Sequence, residues 1–89
     1  AAVSIESATM PGYYLRHKNG IVWLEPNDNS TLFKNDATWH LRTGMSSPWA
    51  ATFETYNFAG IYLRHRNGLL EISSVSTTLD RQDATFYLK

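Results

Sequence analysis

Short runs of alternating apolar and polar residues follow one another along this chain. Val3–Ala8 alternates with a period of two, the signature of a half-buried strand. Tyr13–His17 and Ile21–Glu25 are apolar-rich runs on either side of Lys18-Asn19-Gly20. An Asn-Gly pair between two such runs predicts a tight hairpin, because both positions accept positive φ. Pro26–Ser30 is polar and rich in turn formers, and Ala37–Arg42 reads as a fourth strand. The second half of the chain predicts the same series: Ala51–Tyr56, Ile61–His65, Leu69–Ser73 and Thr85–Lys89. No stretch carries a sustained helical period. A single helical turn fits Thr31–Asn35 and Thr78–Gln82.

The two series are copies of each other. Pro11-Gly12-Tyr13-Tyr14-Leu15-Arg16-His17-Lys18-Asn19-Gly20 lies over Ala59-Gly60-Ile61-Tyr62-Leu63-Arg64-His65-Arg66-Asn67-Gly68, with seven of ten residues identical at an offset of 48. Asp36-Ala37-Thr38-Trp39 lies over Asp83-Ala84-Thr85-Phe86 at an offset of 47, and Ser4-Ile5-Glu6-Ser7 over Thr52-Phe53-Glu54-Thr55. The expected organisation is one module over residues 1–89, with a first repeat at about 3–43, a linker at 44–50 and a second repeat at about 51–89. Four strands in a repeat of this length make the unit of a β-trefoil. The expected fold is therefore all-β, a trefoil with two of its three lobes in this chain. Two lobes leave open edges and half a core. A third lobe is then either missing or supplied by another chain, and the ending at Lys89, at the close of a strand, favours this expectation. A homo-oligomer or a second chain that completes the trefoil is the expected partner.

Composition narrows the function. Lys and Arg total 8 and so do Asp and Glu, so the formal charge is zero. This is not the basic footprint of a nucleic-acid binder. The chain has no cysteine, which excludes disulfides and thiolate metal sites. No cofactor and no metal site are expected, since His40 has no metal-like spacing to His17. No run is long enough for a membrane helix, so no membrane partner is expected. No basic, then apolar, leader opens the chain, and a secreted protein would be expected here in its mature form. Three Trp and 13% aromatic residues suit either a tight core or a sugar surface. Trp39 is expected in the core because Phe86 replaces it in the other copy. Trp23 is expected in core or interface, and Trp49 over an open barrel edge.

The doubled pattern of Ile/Phe-Glu-Ser/Thr, Gly-x-Tyr-Leu-Arg-His-x-Asn-Gly, Leu-Glu and Asp-Ala-Thr-Trp/Phe resembles carbohydrate-binding family 42, the arabinose-binding module of α-L-arabinofuranosidases. The likeness covers almost the whole chain. It implies a trefoil with a shallow sugar pocket in some lobes, where a His of the Tyr-Leu-Arg-His segment and the Asp of Asp-Ala-Thr grip arabinofuranose hydroxyls. Carried onto this chain, the pairs are His17 with Asp36 and His65 with Asp83. The copies also differ. Phe33 of the first faces Asp80 of the second, and the Asn-Asp of Pro26–Ser30 is lost in Ser73-Ser74-Val75-Ser76.

These residue types suit a neutral sugar. A carboxylate accepts from two hydroxyls, and bonds to a charged acceptor are the stronger ones. An imidazole donates at one nitrogen and accepts at the other. Tyr14 and Tyr62 are candidate pocket walls or core residues. Glu6 and Glu54 recur at matched places as candidate ligand contacts or solvated acids. Arg16 and Arg64 are expected as ion-pair partners that hold the Asp side chains. Each reading has a plainer counterpart: a satisfied core histidine at position 17 or 65, and a turn-forming aspartate at 36 or 83.

Catalysis is not expected. A glycosidase needs two carboxylates flanking the bond, and nothing selects Asp36 with Glu6 or Asp83 with Glu54 for that task. No nucleophile elbow or zinc-protease motif is present. The expected function is binding of L-arabinofuranose side chains of arabinoxylan or arabinan, outside the cell and beside a hydrolase. The alternatives are a trefoil lectin for another sugar such as galactose, and a trefoil that acts on a protein partner.

Overall fold

The computed structural model of the protein describes residues 1–88. Its elements run β1 (Ala2–Val3), β2 (Tyr13–Lys18), β3 (Ile21–Pro26), α1 (Thr31–Asp36), β4 (Trp39–Thr43), β5 (Ala51–Thr55), β6 (Tyr62–Arg66), β7 (Leu69–Ser73) and α2 (Thr78–Asp83). The seven strands form one antiparallel sheet in the order β1-β4-β5-β6-β7-β3-β2. The sheet curls around an apolar interior, so the all-β expectation is met.

Both Asn-Gly hairpins form as the sequence predicts. Lys18 pairs Ile21 across Asn19-Gly20, and Arg66 pairs Leu69 across Asn67-Gly68. Asn19 and Asn67 take φ of 56° and 53°, and the glycines after them 79° and 78°. This is the doubly positive turn that matches strand twist. The predicted helical turns also appear. Ser30 caps α1 by accepting from Phe33 N, at 3.0 Å. Thr77 and Asp80 form a reciprocal capping box at the start of α2.

Two strand predictions come out shorter. Val3–Ala8 contributes only Val3 to β1 and then an isolated bridge from Glu6 to Tyr14. In Thr85–Lys89 only Phe86 bridges, to Ala51, and Lys89 lies outside the described residues. Glu6 and Phe86 each meet a single neighbour, and a two-sided ladder needs more.

Trp39, Ala51, Phe53 and Leu63 form the buried centre, and Val3, Ile5, Val22, Leu41 and Phe86 are among the side chains packed around it. Trp39 is completely buried, and its indole N–H reaches Leu15 O at 3.4 Å. Beside this centre the interior opens into a groove of about 590 Å³ lined by Ile5, Leu15, Leu41, Phe53, Leu63 and Phe86, among others. Trp49 is 90% exposed. The expectation that it covers a barrel edge is not met: the indole borders a groove with Leu41, Arg42 and Pro48 and stays in solvent. Trp23 is about half exposed, with the Lys18 ammonium over its ring at 5.8 Å.

The seam between the halves has two parts. The β4–β5 pair holds the long ladder from Trp39–Thr55 to Thr43–Ala51. On the other side, β3 meets β7 at Ile21–Glu71, with Ile72 N donating to Gly20 O at 3.0 Å.

Candidate functional site

Each half of the chain builds one cluster of Arg, Asp and His. On β2 the neighbours Arg16 and His17 are both buried, and on β6 Arg64 is buried while His65 is exposed. Adjacent strand residues point to opposite faces only in an ideal ladder, and β2 and β6 both end at a hairpin here. The acid of each cluster is the last residue of a short helix, Asp36 of α1 and Asp83 of α2.

In the first cluster Arg16 donates through Nη2 to Asp36 Oδ2 and through Nη1 to Glu25 Oε1, the latter at 3.1 Å. The ring of Phe33 lies 5.0 Å from the guanidinium carbon. Burial pulls the Arg16 pKa down, but the bonds to Asp36 and Glu25 outweigh it and leave it raised. With Asp36 Oδ2 held, Oδ1 is turned toward His17, whose Nε2 is 3.8 Å away. The amide of Asn57 stands between them. His17 Nε2 is 2.8 Å from Asn57 Oδ1, and Asn57 Nδ2 donates to Asp36 Oδ1 at 3.0 Å. Trp39 packs edge-on to the imidazole at 6.0 Å, and Phe58 lies against it at 5.6 Å.

In the second cluster Arg64 donates to Asp83 Oδ2 and Asp80 Oδ1, both at 2.7 Å. These acids, Asp80 first, raise the arginine pKa. Asp80 is held far below the usual carboxylate range by Arg64 and by the amides of Ser76 and Thr77. His65 Nε2 stands 3.5 Å from Asp83 Oδ1, and Phe86 lies edge-on to the ring at 6.4 Å. The His65 side chain is 54% exposed, against 5% for His17.

The structure thus brings His17 to Asp36 and His65 to Asp83. It uses the other sequence candidates elsewhere. Glu6 Oε2 accepts from Gly12 N at 2.9 Å, and Glu54 Oε2 from Gly60 N at 2.8 Å. Each carboxylate closes the loop between two strands. The Gly60 amide and then Arg42 lower the Glu54 pKa. Tyr14 is half-buried and lines a cavity of about 230 Å³ with Phe33, Ala37 and Thr38. Tyr62 is half-buried, paired with Ser73 and Glu54. Asn57, Phe58 and Phe86 touch the clusters and were not singled out by sequence. The one signal for Asn57 and Phe58 is that they stand where the first copy has Thr9 and Met10, in loops that share a glycine at Gly12 and Gly60. Among the described residues no group of His, Asp and Glu is arranged to hold a metal ion.

The geometry can be set against known proteins. Residues 1–88 match the family described as the α-L-arabinofuranosidase B (AbfB) domain. An extracellular exo-α-(1→5)-L-arabinofuranosidase of Streptomyces avermitilis is 59% identical over 62 residues, covering 68% of this chain and 13% of that protein. Alpha-L-arabinofuranosidase B of Emericella nidulans is 33% identical over 72 residues, covering 81% of this chain and 14% of that protein. The chain therefore spans about a seventh of the length of these relatives. A solved GH54 α-L-arabinofuranosidase soaked with a cyclic sulfate inhibitor superimposes with a TM-score of 0.90 at 30% identity, over 97% of this chain and 19% of that one. An arabinofuranosidase complexed with arabinofuranosyl-α-1,2-xylobiose superimposes with a TM-score of 0.89 at the same identity and coverage. With the match running through both Arg–Asp–His clusters, the chain belongs to the AbfB domain family, carbohydrate-binding family 42 of the α-L-arabinofuranosidases.

Proposed function

We propose that this chain is a non-catalytic module that binds L-arabinofuranose side chains of arabinoxylan or arabinan and holds a hydrolase against them. The observation that carries the reading is the recurrence of one arrangement in both halves. An arginine pins one oxygen of an aspartate and turns the other toward an imidazole, 3.8 Å away in the first half and 3.5 Å in the second. A sugar hydroxyl between the two would accept from the imidazole N–H and donate to the carboxylate. His17, Asp36, His65 and Asp83 are the ligand groups. Tyr14, Tyr62 and Glu6 are spent elsewhere in the fold, and Glu54 closes the loop that carries Asn57 to the first pair. With so few polar contacts per site, affinity falls in roughly the micromolar to millimolar range.

Several facts support the reading. The family belongs to arabinofuranosidases, and a solved relative is complexed with an arabinofuranosyl xylobiose. Glu6 and Glu54 are engaged by loop amides and Arg42, which leaves them poor partners for acid–base chemistry with Asp36 or Asp83. Extracellular action follows the Streptomyces avermitilis relative. The curled sheet and its open apolar groove fit two lobes of a β-trefoil that a third lobe, from the same or another polypeptide, would close.

Affinity electrophoresis through arabinoxylan tests the function. Asp36→Ala combined with Asp83→Ala should abolish retardation while circular dichroism stays that of the parent. Retardation that persists in the double variant would place the sugar elsewhere, and retardation by galactosides alone would favour the lectin reading.

A further inference from the structure

We propose that Asn57 is an internal substitute for the sugar, an amide latch that keeps the first pocket closed until it swings out. The inference rests on the reading of His17 and Asp36 as ligand groups. What the structure adds is the occupant of the space between them. The Asn57 amide accepts from the imidazole and donates to the carboxylate, at 2.8 and 3.0 Å. That is the polarity a sugar hydroxyl would satisfy at the same two atoms. While Asn57 is in place, the His17 Nε2 proton is taken and one acceptor position of Asp36 Oδ1 is filled.

The latch is carried on a loop built for display. Thr55 N donates to Ile61 O at 2.8 Å, Ile61 N to Phe58 O at 3.2 Å, and Glu54 ties down Gly60. The first copy has the same loop, closed by Ser7 N to Tyr13 O at 2.9 Å, Tyr13 N to Met10 O at 3.1 Å, and Glu6 to Gly12. The backbone closure is shared while the side chains differ, and at the tip Thr9 and Met10 stand where the second copy has Asn57 and Phe58. Phe58 rests on the His17 ring, yet it is 53% exposed, and Asn57 belongs to an exposed segment. The tip can leave without opening the core. The second pocket lacks such a cover among the described residues, and His65 is exposed.

The test isolates the first pocket. In Asp83→Ala protein, calorimetry with methyl α-L-arabinofuranoside should find weak binding or none. Adding Asn57→Ala should tighten binding about tenfold if the latch is shut nine-tenths of the time, since apparent affinity scales with the open fraction. Adding Asp36→Ala should then cancel the gain. Asn57→Gly is the second variant, and both are checked by thermal melting. A double variant that binds no better than Asp83→Ala overturns the latch, and so does one that binds worse, which would make Asn57 a ligand group. Should no form of the protein bind arabinoside, the proposed function falls, and the latch is decided by NMR alone. The His17 Nε2 proton should exchange slowly in the parent and fast in Asn57→Ala. Equal exchange rates would overturn the latch.

Discussion

The two halves hold the same aspartate with the same arginine but complete the arginine differently. In the first half the second arm of Arg16 goes to Glu25 on β3, and Phe33 of α1 covers the guanidinium. In the second half Ser73 stands in place of Glu25 and Asp80 in place of Phe33, so the second arm of Arg64 goes to α2. The acid has moved from strand to helix, and the count of charges around the arginine is unchanged. A buried guanidinium needs its donors satisfied, but it is indifferent to which element supplies the acceptor. This leaves the wall around each pocket free to diverge while the aspartate keeps its aim. The first cluster is aromatic-faced and covered, and the second is acidic-faced and open.

The largest effect separating the two should come from removing the arginines. Arg16→Ala leaves Asp36 buried and unpaired, which costs about 3 kcal/mol or more. Arg64→Ala should cost less, because Asp83 and Asp80 keep 15% and 18% side-chain exposure against 9% for Asp36. Urea unfolding of both variants gives the ranking, and equal losses would show that burial is not what distinguishes the clusters. An intermediate effect should come from grafting one wall onto the other. Asp80→Phe should lower Tm, and adding Ser73→Glu should recover most of the loss by restoring the first-half arrangement. A Ser73→Glu effect independent of position 80 would break the idea of exchange between strand and helix. The smallest effect is at acid pH. Asp80 has a folded pKa depressed below its ordinary value near 3.8. Its stabilisation is therefore complete above that value and is lost as pH falls through the folded pKa. Thermal melts of Asp80→Asn should lie below the parent at neutral pH, with the gap closing below about pH 4. A constant gap down to pH 2 would mean that the aspartate acts through the helix cap alone.

Much of this architecture was readable in advance because it is local or repeated. Asn19-Gly20 and Asn67-Gly68 determine their hairpins by φ alone. The repeat that matches His17 and Asp36 with His65 and Asp83 also matches Arg16 with Arg64, and a short acid near a buried arginine is an expected pair. What could not be read depends on where a loop lands. Asn57 lies 21 residues from Asp36 and 40 from His17. It reaches them only because β4 and β5 pair and carry the 56–60 loop over the neighbouring half, where Tyr56 N donates to Thr38 O. Of the exchange of Glu25 for Asp80, only the change from Phe33 to Asp80 was visible in sequence, and the position of Arg64 gives it its reason. Trp49 misled for a related reason. Aromatic residues are highly buried on average, but Trp49 stands in a linker turn and is left in solvent.

The narrow β3–β7 contact has a kinetic consequence. Each hairpin closes on itself over a few residues, and β4 meets β5 across one short linker, so these parts can form early at small entropic cost. The single register pair from Ile21 to Glu71 joins residues 50 positions apart. Closing that join must come after the hairpins exist, and amide protons there, Ile72 N–H among them, should be the first in the sheet to trade with solvent when the halves part.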